Sequence, residues 1–428
     1  MTRATHQHAI QIFRAALDAA NPEHAVARHL KLDGNSLRAG VRRYSLSRFD
    51  RIQLIGAGKA SAAMARAVER VLGPHLAGGL INVPDGITTR LRRVRLNPCG
   101  HPVPDERGLR GAQEIIDIAA GAGRRDLLIC VISGGASAML PLPAEPLTLA
   151  AKQDVTRALL GAGANIHELN AVRKHLSWIK GGQLARAAQP AAVLTLILSD
   201  VIGDDLDVIG SGPTAPDSST VADAIAVIEK YGGAVVPELL HETPKLGDPA
   251  FERVQNLIVG SNRLAINAAA KKAHDLGYRA LVLSSSIDGE TREIALMHAA
   301  IAKEIVATNR PVRRPACVLS GGETTVTVRG RGTGGRNQEF VLAAAIALEG
   351  TRGVTVFSAG TDGIDGPTPA AGASADSGMI SRARAQRLDP RAYLDDNDSF
   401  HFFERMNGLV RTGPTGTNVM DIRLMLVP

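Results

Sequence analysis

Two short apolar runs in this 428-residue chain end in Ser-Gly-Gly, at Val131-Ile132-Ser133-Gly134-Gly135-Ala136-Ser137 and at Val318-Leu319-Ser320-Gly321-Gly322-Glu323. An aliphatic run that stops at paired glycines predicts a buried parallel strand passing into a turn whose bare N–H groups can face an anion. The second turn leads into Gly330-Arg331-Gly332-Thr333-Gly334-Gly335-Arg336-Asn337-Gln338-Glu339, where a pliant backbone and Arg side chains suit polyphosphate chemistry. Lys59, in Gly56-Ala57-Gly58-Lys59-Ala60-Ser61, falls at the start of an expected helix. The helix dipole disfavours a cation there unless an anion shares the site. The loop lacks the spacer and the Lys-Ser/Thr pair of a Walker A motif, so a plain strand-to-helix turn competes with this reading.

Carboxylates and further cations follow the same logic. Asp200 ends the apolar run Val193–Leu198, a position from which Asp holds magnesium, accepts a hydroxyl proton or simply caps a helix. Asp362 and Asp365, in Thr361-Asp362-Gly363-Ile364-Asp365-Gly366, carry the same alternatives, and the segment lacks the closing Glu of a calcium loop. At helical spacing Asn170, Arg173 and Ser177 share one face with Lys180 a turn further, where Arg173 could clamp a carboxylate; a solvated basic face is the plainer reading. His101, stiffened by Pro102 and Pro104, is a candidate substrate contact or a structural imidazole. No Ser-His-Asp arrangement and no His/Cys metal cluster stands out.

These residues need strands to carry them. The chain repeats a unit of apolar strand, glycine turn and alanine-rich helix: Ile52–Ile55 before the Gly56 turn and a helix at 60–72, Leu127–Ile132 before Ser133, Val193–Leu198 before Ser199, and Leu257–Val259 before Gly260-Ser261-Asn262 and a helix at 264–276. Further strands are expected at Arg279–Leu283, Ala316–Leu319, Val354–Ser358 and Asp421–Val427. Such alternation predicts an α/β protein of two lobes, each a mostly parallel sheet sandwiched by helices, with ligands at the strand carboxyl ends. Pro and Gly punctuate residues 231–254, which places the lobes at 1–240 and 241–428, with 400–428 free to return to either.

Composition sets the class. Apolar residues make up 45% and charged residues 21%, as in a soluble globular protein. The net charge of +7 is dispersed, and aromatics at 3% are too few for base-stacking platforms, so nucleic acid is not an expected partner. A positive field still helps capture small polyanions. Three cysteines without C-x-x-C spacing imply neither disulfides nor zinc. The N-terminus reads as an amphipathic helix with Ile10, Phe13 and Leu17 apolar, and no stretch reaches membrane-spanning length; a cytoplasmic location is expected.

Taken in order, Gly56-Ala57-Gly58-Lys59, Gly100-His101-Pro102, Ile132-Ser133-Gly134-Gly135, Asn170-x-x-Arg173-Lys174-His175, Lys180-Gly181-Gly182, Ser199-Asp200-Val201, Gly210-Ser211-Gly212-Pro213-Thr214, Gly321-Gly322-Glu323, Gly335-Arg336-Asn337-Gln338-Glu339, Thr361-Asp362-Gly363 and Thr412-Gly413-Pro414-Thr415 resemble the type-2 glycerate kinases across nearly the whole chain. The resemblance implies an N-terminal glycerate-kinase domain with a Rossmann-like core, a smaller C-terminal MOFRL domain, and ATP- and Mg2+-dependent phosphorylation of D-glycerate to 2-phosphoglycerate. It makes Lys59 and Arg336 the leading catalytic candidates, suited to clamp a migrating phosphoryl group. Asp200 and Asp362 become candidates for metal or base. Gly56, Gly58, Ser133, Gly134, Gly135, Ser137, Asn262, Gly321, Gly322 and Glu323 fall to the nucleotide, and His101, Arg173 and Lys180 to the acid, while which glycine turn holds which anion stays open. A homodimer is left open as the assembly. Some family members carry the label hydroxypyruvate reductase. Here the dinucleotide fingerprint lacks its third glycine, with Ser61 in that place, which disfavours an NAD(P)H-dependent reductase.

Overall fold

The computed structural model describes residues 3–233 and 236–428. Ala234 and Val235, inside the stretch where a boundary was expected, lie outside the described residues. The chain divides into two compact units, one spanning Pro22–Val259 and the other combining Met1–Asn21 with Gly260–Pro428. These units meet between Val259 and Gly260, and the first helix is grouped with the C-terminal half.

In the unit Pro22–Val259, strands β1 (Leu30–Asp33), β2 (Ser36–Ala39) and β3 (Arg42–Ser45) form an antiparallel meander. The main sheet has the order β6-β5-β4-β7-β8-β9, from β4 (Arg51–Ala57), β5 (Gly78–Pro84), β6 (Val94–Cys99), β7 (Asp126–Ile132), β8 (Ala192–Leu198) and β9 (Val254–Gly260). Its pairs from β6 to β8 are parallel, as expected. Every residue of β7 and β8 is buried, because helices cover both faces of a parallel sheet and leave no polar face to alternate. The strand β9 extends this sheet, which is why the unit continues past residue 240. A second, smaller core of Leu159, Leu169, Val172, Leu176, Ala224 and Leu240 ties together the helices Leu149–Gly161, Ile166–His175 and Val221–Lys230.

The other unit is built on a sheet of order β10-β11-β15-β12-β13-β14: β10 (Arg279–Ile287), β11 (Ala316–Gly322), β12 (Thr355–Gly360), β13 (Gly372–Asp376), β14 (Leu409–Val410) and β15 (Asp421–Val427). Only β10 and β11 pair in parallel; the four other pairs are antiparallel. The expectation of a second mostly parallel sheet is thus corrected to a mixed one. The cause is β15, which the last residues insert antiparallel between β11 and β12 at the centre of the sheet, rather than returning to the first unit. The helix Arg336–Ala347 lies over this sheet with nine of its twelve residues buried, and Phe340, Phe402 and Phe403 fill the core beside it. The N-terminal helix Arg3–Ala20 buries Ala9, Ile12, Phe13 and Ala16, with Ile10 and Leu17 at the shoulders of that stripe.

All three cysteines are free and buried. No helix among the described residues is long and apolar enough to cross a membrane.

Candidate functional sites

In the parallel sheet, the carboxyl ends of β4, β6, β7 and β8 deliver Lys59, His101, Gly134 and Asp200 to one edge, because parallel strands all end on the same side. The register is held by glycine. A Cβ on Gly56 would lie 2.0 Å from the Val131 carbonyl oxygen, and one on Gly58 2.2 Å from Ser133 Oγ. Both positions therefore serve close approach of backbone to backbone. Ser133 acts as a strut: its buried hydroxyl accepts the Ala60 N–H at 3.0 Å and lies 3.2 Å from Ser61 Oγ, while the Lys59 N–H donates to the Gly134 carbonyl at 2.9 Å. Ser61, which stands where a dinucleotide fingerprint has its third glycine, is part of this strut.

The Lys59 side chain that these bonds position is exposed. Its charge is felt by two neighbours. Burial pushes the Asp200 carboxyl above its ordinary value, partly offset by its own N–H and by Lys59. Burial, with Lys59 beside it, holds His101 below the usual imidazole range. Asp200 lies directly over Gly134, whose added Cβ would stand 2.1 Å from Oδ2. His101 covers Gly135, whose added Cβ would meet the imidazole at 2.9 Å. Gly135 has φ +84°, a left-handed conformation that favours glycine, and the N–H groups of Gly134 and Gly135 make no hydrogen bond within the described residues. Two unpaired N–H donors, a free cation, a neutral imidazole and a carboxyl of raised proton affinity thus meet on one edge. Such a set can hold an anion and accept a hydroxyl proton.

Behind this edge lies a cavity of about 580 Å³ into which Lys152, Arg173 and Lys180 project. Lys180 is buried, donating to the Ser137 carbonyl at 2.6 Å and to Ser137 Oγ at 3.0 Å; Ser137 Oγ in turn lies 2.8 Å from Ser211 Oγ, which donates to Asn170 Oδ1. The helix carrying Asn170 and Arg173 ends at His175, so Ser177 and Lys180 do not continue its face as the spacing suggested. The bridge between Pro143 and Ser177 draws the chain out of the helix, and left-handed Gly181 and Gly182 turn it back. Lys152 was not singled out in the sequence, where it reads as one more polar residue of an alanine-rich helix.

In the mixed-sheet unit, Arg336 opens its helix and is gripped by Asp421 on two sides, Nε to Oδ2 at 2.7 Å and Nη2 to Oδ1 at 3.1 Å, while Nη1 pairs with Glu323 at 2.7 Å. Asp421, at the head of β15, is fully buried and also accepts from Asn337 and from Arg423. No sequence signal marked it, because its importance follows from the central place of β15. Asp365 caps the helix through the N–H groups of Asn337 and Gln338, at 3.0 and 2.9 Å, and burial pushes its carboxyl up to about 6. A Cβ on Gly335 would strike that carboxyl at 2.3 Å, so Asp365 has the capping role. Asp362 is half-buried, its Oδ1 accepting from the Ile364 N–H. Asn262, expected at the nucleotide, is buried against Gly321, and its Nδ2 donates to the carbonyls of Val419 and Asp421. Gly322 is likewise required by the Ile287 carbonyl, 2.2 Å from where its Cβ would be.

Among the described residues no three His, Cys, Asp or Glu side chains converge as a metal site. Asp200 and Asp362, in different units, each offer one carboxylate, and either alone fits a magnesium ion carried mainly by phosphate oxygens and water.

The chain matches the family described as "Domain of unknown function (DUF4147)" over residues 8–242 and the MOFRL family over residues 316–421. It is 40% identical to a D-glycerate 2-kinase of Thermotoga maritima over 98% of this chain and 97% of that one, and 38% identical to a glycerate kinase of Rattus norvegicus over 99% and 93%. A protein of Agrobacterium vitis named as a hydroxypyruvate reductase is 42% identical over 97% of this chain and 93% of its own. Among solved structures, a glycerate kinase from Thermotoga maritima superposes with a TM-score of 0.91 at 39% identity, covering 99% of this chain and all of its own.

Proposed function

The chain belongs to the type-2 glycerate kinase family, and we propose that it phosphorylates D-glycerate at the 2-hydroxyl, with ATP as donor and Mg2+ as its counterion. The observation that carries this reading is the edge that joins Lys59, Asp200, His101 and the open N–H groups of Gly134 and Gly135, in a chain about 40% identical along its whole length to a D-glycerate 2-kinase.

The residues divide the work as follows. The acid's carboxylate lies against the Gly134–Gly135 turn and His101, which the lowered proton affinity keeps neutral and able to donate one hydrogen bond. Asp200 accepts the proton of the 2-hydroxyl as its oxygen bonds to the γ-phosphorus and the bond from phosphorus to the ADP oxygen breaks. A carboxyl raised toward neutrality is better matched to that task than an ordinary one. Lys59 neutralises charge on the transferring phosphoryl oxygens, while Arg336, held in its own unit by Asp421 and Glu323, is a second candidate cation for phosphate oxygens. Magnesium, when bound, supplies further charge neutralisation on the phosphates.

The test is ADP release by the purified protein. It should require both D-glycerate and Mg2+, and folded Lys59→Ala should lose on the order of 10³-fold in kcat, about 4 kcal/mol. Hydroxypyruvate-dependent NADH oxidation without ADP release would replace the kinase reading with the reductase one.

A further inference from the structure

Of the four cations lining the cavity behind Ser137, exposed Arg157 pairs with Asp154 at 2.7 Å, whereas Lys152, Arg173 and Lys180 have no carboxylate within ion-pair distance among the described residues. Lys152 has one weak acceptor, the Leu142 carbonyl at 3.4 Å, and is 6% exposed; Lys180 is 1% exposed and meets only Ser137. The same fold pairs a buried lysine when it has no ligand to bind. Lys174, next to Arg173, is held by Asp217 at 2.8 Å and Asp207 at 3.0 Å. Leaving buried cations unpaired is costly, and evolution tolerates the cost where an anion completes the site. The amide Nδ2 of Asn170, one turn before Arg173, is also buried without an acceptor.

The remaining wall does not suit a small acid. Pro102, Val103, Pro104, Leu149 and Leu160 also line the cavity. Glycerate brings one negative charge and almost no apolar surface, whereas the cavity offers three unpaired cations, an apolar shelf and the volume of a drug-sized ligand. We propose that this cavity is the nucleotide site: Lys152, Arg173 and Lys180 hold phosphate oxygens, and the shelf of Pro102, Val103 and Leu160 takes the purine base. This deepens the kinase reading and rests on it, and it reassigns Arg173 and Lys180 from the acid to the donor. The placement suits transfer, because Ser137 and Pro102 line the cavity within two residues of Gly135 and His101. A phosphate chain leaving the cations is thereby directed to the Lys59 loop. Burial and mutual repulsion also hold both lysines well below their usual proton affinity, as expected of a cation cluster awaiting its anion.

Calorimetric titration with MgADP in the absence of acid tests the proposal apart from turnover. Lys152→Met should raise the ADP Kd at least tenfold while the glycerate KM stays within twofold of wild type. Val103→Asp, on an exposed part of the shelf where folding is not at stake, should also weaken ADP binding. An unchanged ADP Kd in both folded variants overturns the proposal, and so does a raised glycerate KM with unchanged ADP binding, which would return the cations to the acid. Failure of the wild-type protein to bind ADP at all would instead strike the kinase reading itself.

Discussion

Replacing Gly134 with alanine isolates the geometry on which catalysis is proposed to depend. Gly134 lies outside the left-handed region, so the substitution carries no backbone strain of its own; what it introduces is a methyl group 2.1 Å from Asp200 Oδ2. Carbon and oxygen do not settle closer than about 3.0 Å, so one of them must retreat by roughly 0.9 Å. If the Asp200 side chain moves, the base leaves the acceptor hydroxyl. If the turn moves, it drags the Lys59 N–H, which is bonded to the Gly134 carbonyl at 2.9 Å. Either way the carboxylate shifts relative to the turn by about 1 Å, a misplacement that costs on the order of 10²-fold in rate, about 2.7 kcal/mol. The assay is steady-state ADP release at saturating substrates, with folding checked by thermal melts. Gly123→Ala is the control, since its Cβ would meet nothing closer than 3.8 Å. A folded Gly134→Ala enzyme turning over within threefold of wild type would refute the role given to Asp200.

Asp200 should also set the acid limb of kcat/KM: its carboxyl is raised above the ordinary 3.8, so activity falls with acid earlier than an ordinary Asp would allow, and a folded Asp200→Asn protein should have too little activity to show that limb. His298, buried between the Ile294 carbonyl and Ser320 Oγ at 2.7 Å each, is pushed down to about 4 from 6.5. Between those values the unfolded chain binds a proton that the folded one does not, so its contribution to stability is complete above pH 6.5 and declines toward pH 4, by up to about 3 kcal/mol. Urea titrations from pH 7 to 4.5 should show a smaller decline for His298→Gln. Asp421→Asn strips the carboxylate from fully buried Arg423 and from Arg336, and should cost about 3–5 kcal/mol, a Tm fall on the order of 10 °C in differential scanning calorimetry. A fall below 2 °C would show that the network is dispensable.

Much of the parallel sheet was legible because its strands are apolar runs punctuated by glycine, a pattern that reports burial on both faces. Three residues of the proposed edge were legible for the same reason, since Lys59, Gly134 and Asp200 each follow such a run, whereas His101 follows Val94–Cys99, where Arg95 and Asn97 break the apolar pattern. The mixed sheet was not, since an apolar strand such as Asp421–Val427 reads alike whether it pairs in parallel or antiparallel, and local pattern carries no direction. Asp421 and Lys152 escaped for a related reason. Each acquires meaning from burial beside residues distant in sequence, Arg336 for one and Lys180 for the other. For Asn262 the sequence offered a ligand role, and the fold adds a second one that local pattern could not carry, since its Nδ2 donates to two carbonyls of its own unit.

The most direct test of the central claim is the position of the phosphate. Incubated with D-glycerate, ATP and Mg2+, the protein should release ADP and form 2-phosphoglycerate, seen as a 31P resonance of a secondary phosphate ester and as a product that enolase consumes without phosphoglycerate mutase. A primary ester that enolase accepts only after mutase treatment would place transfer at the 3-hydroxyl and contradict the account, as would any failure of ADP release to depend on D-glycerate.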